Sequence, residues 1–183
     1  RGATRLAPLL LGPVPAKDGS EILLRCAERA DEERVFTWQQ HPETRRYARN
    51  PQAPARDEHH DWFAARLEDT GCHMTIIQHH EQPAGVLRLD RRDGPEPVFE
   101  VSILIDPDLK GRGIGLAALR LVRSLVPGVT LLANIFSENI ASRRLFEAAG
   151  YQPSGDGVCY LSKRTDAPLM TLTEDKIQSI REF

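Results

Sequence analysis

The chain has 183 residues, 40% of them apolar, enough for one sizeable core that buries roughly 70% of the unfolded chain's surface. Its 24 Lys and Arg stand against 26 Asp and Glu, a net charge of −2 that argues against nucleic acid as a partner. No apolar run approaches the roughly 20 residues of a membrane span, and Cys26, Cys72 and Cys159 show neither zinc spacing nor a disulfide framework, so a reducing cytoplasm is the expected compartment.

In chain order, the first twenty residues are rich in Pro, Gly and Ala and end in Lys17-Asp18-Gly19-Ser20. They read as a linker or an arm from a preceding domain, and an opening on Arg1 without Met fits that expectation. A strand is predicted at 21–25. Asp31 offers an N-cap, with Glu32 and Glu33 in the first turn, for a short helix to Gln40 carrying Val35, Phe36 and Trp38. Pro42 forces a boundary at His41 and opens a second short helix with Arg45, Arg46 and Tyr47. Pro51 and Pro54 mark a loop, after which Asp57 caps a helix that sets His59, Trp62, Phe63, Arg66 and Leu67 at helical spacing.

Strands are predicted at 74–78 and 84–91, joined by a turn at 79–83, and a third at 98–105 after the turn at 92–97. A glycine-rich turn, Lys110-Gly111-Arg112-Gly113-Ile114-Gly115, leads into a helix over 116–126 that Pro127-Gly128 stops. A buried strand at 129–136 and a helix at 138–149 follow, with Ser137 as cap and Gly150 at the helix terminus. A last strand is predicted at 158–162. The tail from Thr165 carries one more helix signal, capped by Thr173. This order describes an α/β (α+β) domain over 21–164: a mixed sheet of six or seven strands flanked by helices. Without strict βα alternation, a doubly wound sheet is disfavoured.

A strand, a glycine turn and a helix N-terminus together make an anion site, because glycines admit a phosphate close to the backbone and the helix adds partial positive charge. Lys110 and Arg112 bring cations there. The spacing is neither a P-loop nor a full dinucleotide fingerprint. A glycine-rich turn without a ligand is the plainer alternative.

The run Val101-Ser102-Ile103-Leu104-Ile105-Asp106-Pro107-Asp108-Leu109-Lys110-Gly111-Arg112-Gly113-Ile114-Gly115 resembles the acetyl-CoA motif of the GNAT acetyltransferase superfamily, [Q/R]-x-x-G-x-[G/A], with Lys110 as a departure at the first position. The run Asn139-Ile140-Ala141-Ser142-Arg143-Arg144-Leu145-Phe146-Glu147-Ala148-Ala149-Gly150-Tyr151 resembles its second motif. The resemblance implies acetyl-CoA as cosubstrate and two central parallel strands, 98–105 and 129–136, that splay apart around the pantetheine arm. The arm's amides would meet backbone around Ile103, Leu104 and Ile105, and the diphosphate would take N–H groups from Lys110, Gly111, Arg112, Gly113, Ile114 and Gly115. Asn139 and Ser142 would touch the arm, and Arg144, or Arg143, the nucleotide phosphates.

Amine acetylation needs a base, an oxyanion donor and an outlet for the thiolate. Glu100 is the candidate base, on the strand lining the cleft, with a salt-bridged strand glutamate as the alternative; a backbone N–H near Ile103 or Leu104 is the candidate oxyanion donor. The superfamily's frequent general-acid tyrosine falls at Phe146, which has no proton to give. Either the thiolate leaves unaided, water or another residue serves, or the domain is a non-catalytic acyl-CoA-binding module.

Trp38-Gln39-Gln40-His41-Pro42-Glu43-Thr44-Arg45 and Glu58-His59-His60-Asp61-Trp62-Phe63 are similar to W-x-N-x-P-x-x-R and E-H-x-x-W-F, a pair typical of the GNAT branch that acetylates UDP-linked 4-amino-6-deoxy sugars in pseudaminic acid synthesis. The pair also occurs, more loosely, in ribosomal-type protein N-terminal acetyltransferases, and Gln40 departs from the usual Asn. Gly85-Val86-Leu87-Arg88-Leu89-Asp90 is similar to the amino-sugar branch as well, and the first six residues resemble the end of a nucleotide-sugar hydrolase sometimes fused in front of it. The resemblance implies an amino-sugar nucleotide as acceptor, with Trp38, Arg45, Tyr47 and His59 as substrate contacts, in a homodimer or behind a fused enzyme domain. Trp38 and Trp62 as core residues, Arg46 on a solvated face and His59 as a local cap are the structural alternatives. His60, His79 and His80 are read as surface residues, and no metal site is expected.

Overall fold

Alternate residues of a strand point to opposite faces of its sheet, and here each face has its own helical cover. The computed structural model describes residues 11–155 and 159–163; the expected C-terminal helix lies outside them. The elements are β1 (Leu11–Pro15), β2 (Glu21–Cys26), α1 (Glu32–Gln40), α2 (Pro42–Arg45), α3 (Arg56–Glu68), β3 (Cys72–His79), β4 (Gln82–Arg91), β5 (Val98–Ile105), α4 (Ile114–Leu125), β6 (Thr130–Asn134), α5 (Ile140–Ala148), β7 (Gln152–Ser154) and β8 (Cys159–Ser162). They build one eight-stranded sheet in the order β1-β2-β3-β4-β5-β6-β8-β7, antiparallel throughout except for β5 and β6.

Eight strands stand where six or seven were predicted. The additions are β1, inside the segment read as an arm, and β7; both are edge strands containing proline, which an edge tolerates because one row of N–H groups needs no partner. The sheet therefore begins ahead of Glu21.

One face is covered by α4 and α5. Ile114, Ala117, Ala118, Leu121, Val122 and Leu125 recur at three- and four-residue spacing and are buried against Leu87, Leu89, Phe99, Val101 and Leu131. Fully burying each Ile, Leu, Val or Phe side chain contributes about 1.5–3 kcal/mol. The other face carries α1 and α3, where Val35, Trp38 and Phe63 pack on Met74, Ile76 and Val86.

Three expected caps are placed differently. Asp31 does not cap α1; it is buried, receives Arg25 through two hydrogen bonds of 2.7 and 2.6 Å and accepts the N–H of Glu28, so it ties the end of β2 to the helix. In α3, Glu58 accepts the N–H of Ala55 at 3.1 Å, and Asp57 lies in the first turn. Asn139, not Ser137, caps α5 by accepting the N–H of Ser142 at 3.1 Å. Tyr47 falls outside α2. No described helix is long and apolar enough to cross a membrane.

Candidate active site

The parallel pairing of β5 with β6 is short: Val98 with Thr130, Phe99 with Leu131, Glu100 with Leu132. Beyond Glu100, β5 runs on to Ile105 paired only with β4, from Val101 opposite Leu89 to Ile105 opposite Gly85. The edge of β5 that faces β6 is therefore a row of backbone groups along one side of a wedge. Ile103, Leu104 and Ile105, expected beside the pantetheine arm, lie on this stretch and are half-buried.

The wedge opens onto the glycine turn. Backbone N–H groups in a folded chain go almost without exception to a partner. Among the described residues, none of the N–H groups of Lys110, Gly111, Arg112, Gly113, Ile114, Gly115 and Leu116 donates to protein; the first bond of α4 is Ala117 N–H to Gly113 O at 3.0 Å. Unspent donors at the positive end of a helix fit the diphosphate of coenzyme A. The glycines have separate reasons. Gly111 and Gly113 have φ of +80° and +81°, which a side chain resists. Gly113 also lies against the β1–β2 turn, where an added Cβ would stand 2.8 Å from the Lys17 nitrogen. Gly115 admits Leu145 of α5, whose Cδ2 would be 3.2 Å from a Cβ there. Lys110 Nζ lies 3.5 Å from Glu43 of α2, while Arg112 and Arg144 are exposed beside the turn and on α5. Arg143 is engaged elsewhere, donating from Nε to Tyr160 Oη at 2.7 Å. A cleft of about 450 Å³ runs between α1 and the start of the turn, lined by Trp38, His41, Asp106 and Asp108 among others.

Glu100 sits at the vertex of the wedge and is 7% exposed. Its Oε1 accepts from Arg49 Nη2 and from Asn134 Nδ2 at 3.1 Å, and its Oε2 lies 3.3 Å from Arg92 Nη1. Each carboxylate oxygen accepts two bonds, so Oε1 is filled and Oε2 keeps one position. Asp90 stands directly opposite on β4 and points to the same side; Arg88 Nε donates to it at 2.7 Å and Arg66 Nη1 lies 3.7 Å away. Four guanidinium groups thus surround Glu100 and Asp90, and because Arg66 Nη1 also donates to Asp69 at 3.1 Å, the surplus is one positive charge. None of Arg49, Arg88, Arg92, Asp90 or Asn134 was singled out for the site from sequence. Their signal is tertiary: Arg49 and Glu100 are 51 positions apart.

The expected acceptor contacts do not converge there. Trp38 is 4% exposed and belongs to the core under α1, with one edge at the cleft. His59 is 2% exposed; its ring lies 3.3 Å from Gln39 Oε1 and 3.2 Å from Glu32 O, among Phe36, Trp62 and Phe63. Burial depresses its pKa. Arg45 turns inward, its Nη1 at 3.4 and 3.3 Å from the carbonyls of Asn50 and Gln52, so it braces the loop that carries Arg49. Tyr47 is half-buried, under the guanidinium of Arg46. For Trp38 and His59 the apolar helix face comes first: Val35 with Trp38, and His59 with Phe63, sit at the three- and four-residue spacing that packs a helix on a sheet.

Neither Tyr151 nor Tyr160 replaces the missing acid. Phe146 is buried edge-on against Tyr151 at 4.9 Å. The Tyr151 hydroxyl is itself buried, which pushes its pKa up, and Tyr160 Oη is held between Arg143 and Glu147.

The profile of the acetyltransferase (GNAT) domain family matches residues 21–152. No curated protein matches the sequence significantly. Among solved structures, the fold is similar to an aminoglycoside acetyltransferase in complex with coenzyme A (TM-score 0.68, 16% identity, covering 78% of this chain and 95% of that one). It is likewise similar to a ribosomal alpha-N-protein acetyltransferase in complex with coenzyme A (TM-score 0.68, 14% identity, 78% and 94%). A third is the spermidine N-acetyltransferase of Vibrio cholerae with coenzyme A and spermine (TM-score 0.64, 18% identity, 73% and 82%). With the family matched over most of its length and the wedge and turn in place, the chain belongs to the GNAT acetyltransferase family.

Proposed function

We propose that the protein transfers an acetyl group from acetyl-CoA directly to the primary amine of an anionic acceptor, a nucleotide-linked amino sugar, in a ternary complex. Acetyl-CoA, when bound, supplies the acetyl thioester and a thiol leaving group. The N–H groups of residues 110–116 hold the diphosphate, with Arg112 and Arg144 at its margin. The free edge of β5 from Val101 to Ile105 orients the arm, and Asn139 and Ser142 close it from α5. At the vertex, Glu100 Oε2 accepts the amine proton, directly or through one water, while Asn134 and the two arginines hold the carboxylate in place. Without a tyrosine at position 146, the departing thiolate relies on its own acidity, with a thiol pKa near 8.5.

The observation that carries the acceptor class is the positive surplus around Glu100 and Asp90. Arginine forks match phosphate oxygens, whereas a polycation meets repulsion there. The three structural neighbours act on or bind other molecules by name, and the amino-sugar nucleotide rests on the arginines and on the sequence resemblance. The experiment is a panel: free thiol released from acetyl-CoA with UDP-linked amino sugars, with spermine and an aminoglycoside, and with an acidic N-terminal peptide. Turnover on the nucleotide sugars, with KM raised in Arg49→Ala for that acceptor alone, is the expected result. Turnover confined to polycations would overturn the acceptor, and turnover confined to the peptide would assign protein N-terminal acetylation instead.

A further inference from the structure

The β1–β2 and β3–β4 turns lie side by side because β2 pairs with β3, with Ile22 opposite His79. The first turn carries Asp18 and the second His80, beside His79 at the end of β3. His79 is 6% exposed, and its Nε2 is buried without a hydrogen-bond partner among the described residues. A buried imidazole nitrogen with no partner is costly unless something else meets it. What it faces is Asp18 Oδ2, at 3.4 Å, the separation of an ion pair rather than of a hydrogen bond.

That separation fits a bridge by a cation. Two ligands at about 2.05 Å from a tetrahedral zinc ion stand about 3.3 Å apart. The ligand atoms of Asp18, His79 and His80 all lie within 4.8 Å of one another, and the two imidazole rings are 4.3 Å apart. The Oδ1 of Asp18 is occupied by the N–H and hydroxyl of Ser20, which leaves Oδ2 turned to His79. The hairpin places His80 and Glu81 at φ of +50° and +60°, where Asn or Gly is the ordinary choice, so the second histidine occupies a turn position that side chains disfavour.

We propose that Asp18, His79 and His80 form a binding site for a zinc-type divalent cation, held by one carboxylate oxygen and two imidazole nitrogens, with water completing the coordination. Two nitrogens and one oxygen suit a borderline metal and leave an open position, as in three-ligand zinc sites. The site is separate from the acetyl-transfer wedge; the burial of His79 corrects the expectation that it is a surface residue, while His80 is exposed as expected. The cation would clamp the two turns together at the place where Lys17 packs against Gly113.

The test uses the tag-free chain stripped with a chelator, titrated with Zn²⁺ by calorimetry and with Co²⁺ by visible absorption. One equivalent of Zn²⁺ should bind, Co²⁺ should develop d–d bands of a low-coordinate site, and Zn²⁺ should raise Tm by mass action. His80→Ala and Asp18→Asn, both at exposed positions, should each weaken binding by roughly tenfold or more, while His60→Ala leaves it unchanged. No stoichiometric binding at Zn²⁺ on the order of 1 mM (a free energy near −4 kcal/mol), or wild-type affinity in both ligand variants, would overturn the site.

Discussion

Gly111 and Gly113 share a left-handed backbone but not their surroundings, so replacing each with alanine separates conformational cost from contact. In Gly111→Ala the new methyl meets nothing within 4 Å, and the cost is the left-handed conformation alone, about 1–2 kcal/mol. In Gly113→Ala the same cost applies, but the methyl stands 2.7 Å from Lys17 Cβ and 2.8 Å from its backbone nitrogen. That nitrogen cannot retreat freely, because the turn is closed by Ala16 N–H to Ser20 O at 2.8 Å and Gly19 N–H to Ala16 O at 3.0 Å. Overpacking of this kind adds about 1–3 kcal/mol. At this chain length 1 kcal/mol lowers Tm by about 2–4 °C, so Gly113→Ala should melt roughly 2–12 °C below Gly111→Ala. Circular dichroism melts, with urea titrations at one temperature, read the difference. Equal destabilisation of the two variants would refute the packing of the β1–β2 turn on the diphosphate turn.

Three further outcomes are expected. Glu100→Gln should lower kcat by about 10²–10⁴ while leaving coenzyme A affinity unchanged; unaltered kcat in a steady-state assay would remove Glu100 from the chemistry. His59→Gln should cost stability, about 1–3 kcal/mol in urea denaturation, and leave the acceptor KM alone, since its ring packs in the core. The sign of the pH dependence follows from burial. The folded His59 and His73 have pKa values depressed below the ordinary 6.5, so the unfolded chain binds more protons. Stability should therefore fall as pH drops below about 6.5, and His59→Gln should flatten part of that slope in chemical denaturation at a series of pH values.

Much of the acetyl-donor half was legible in the sequence because its chemistry is local. A strand, three glycines and an amphipathic helix sit within 28 consecutive positions, and the structure places the turn, the helix and the short parallel pairing around them. The proposed acceptor half was less legible because it is assembled from distant segments. Arg49 reaches Glu100 from a loop, Arg92 from a hairpin and Asn134 from the end of a strand, and no spacing announces those meetings. Trp38 and His59 carry the same residue types as a ligand pocket, yet helical spacing next to Val35 and Phe63 sends them into the core. β1 escaped detection because Pro13 and Pro15 read as linker; an edge strand accepts them.

The most direct measurement is the backbone amide spectrum of the ¹⁵N-labelled protein during titration with coenzyme A and, separately, with pantetheine, which lacks the diphosphate. The largest shifts should fall on residues 110–116 with coenzyme A and be absent from them with pantetheine. Saturation with coenzyme A while those seven amides stay unmoved would contradict the placement of the donor site.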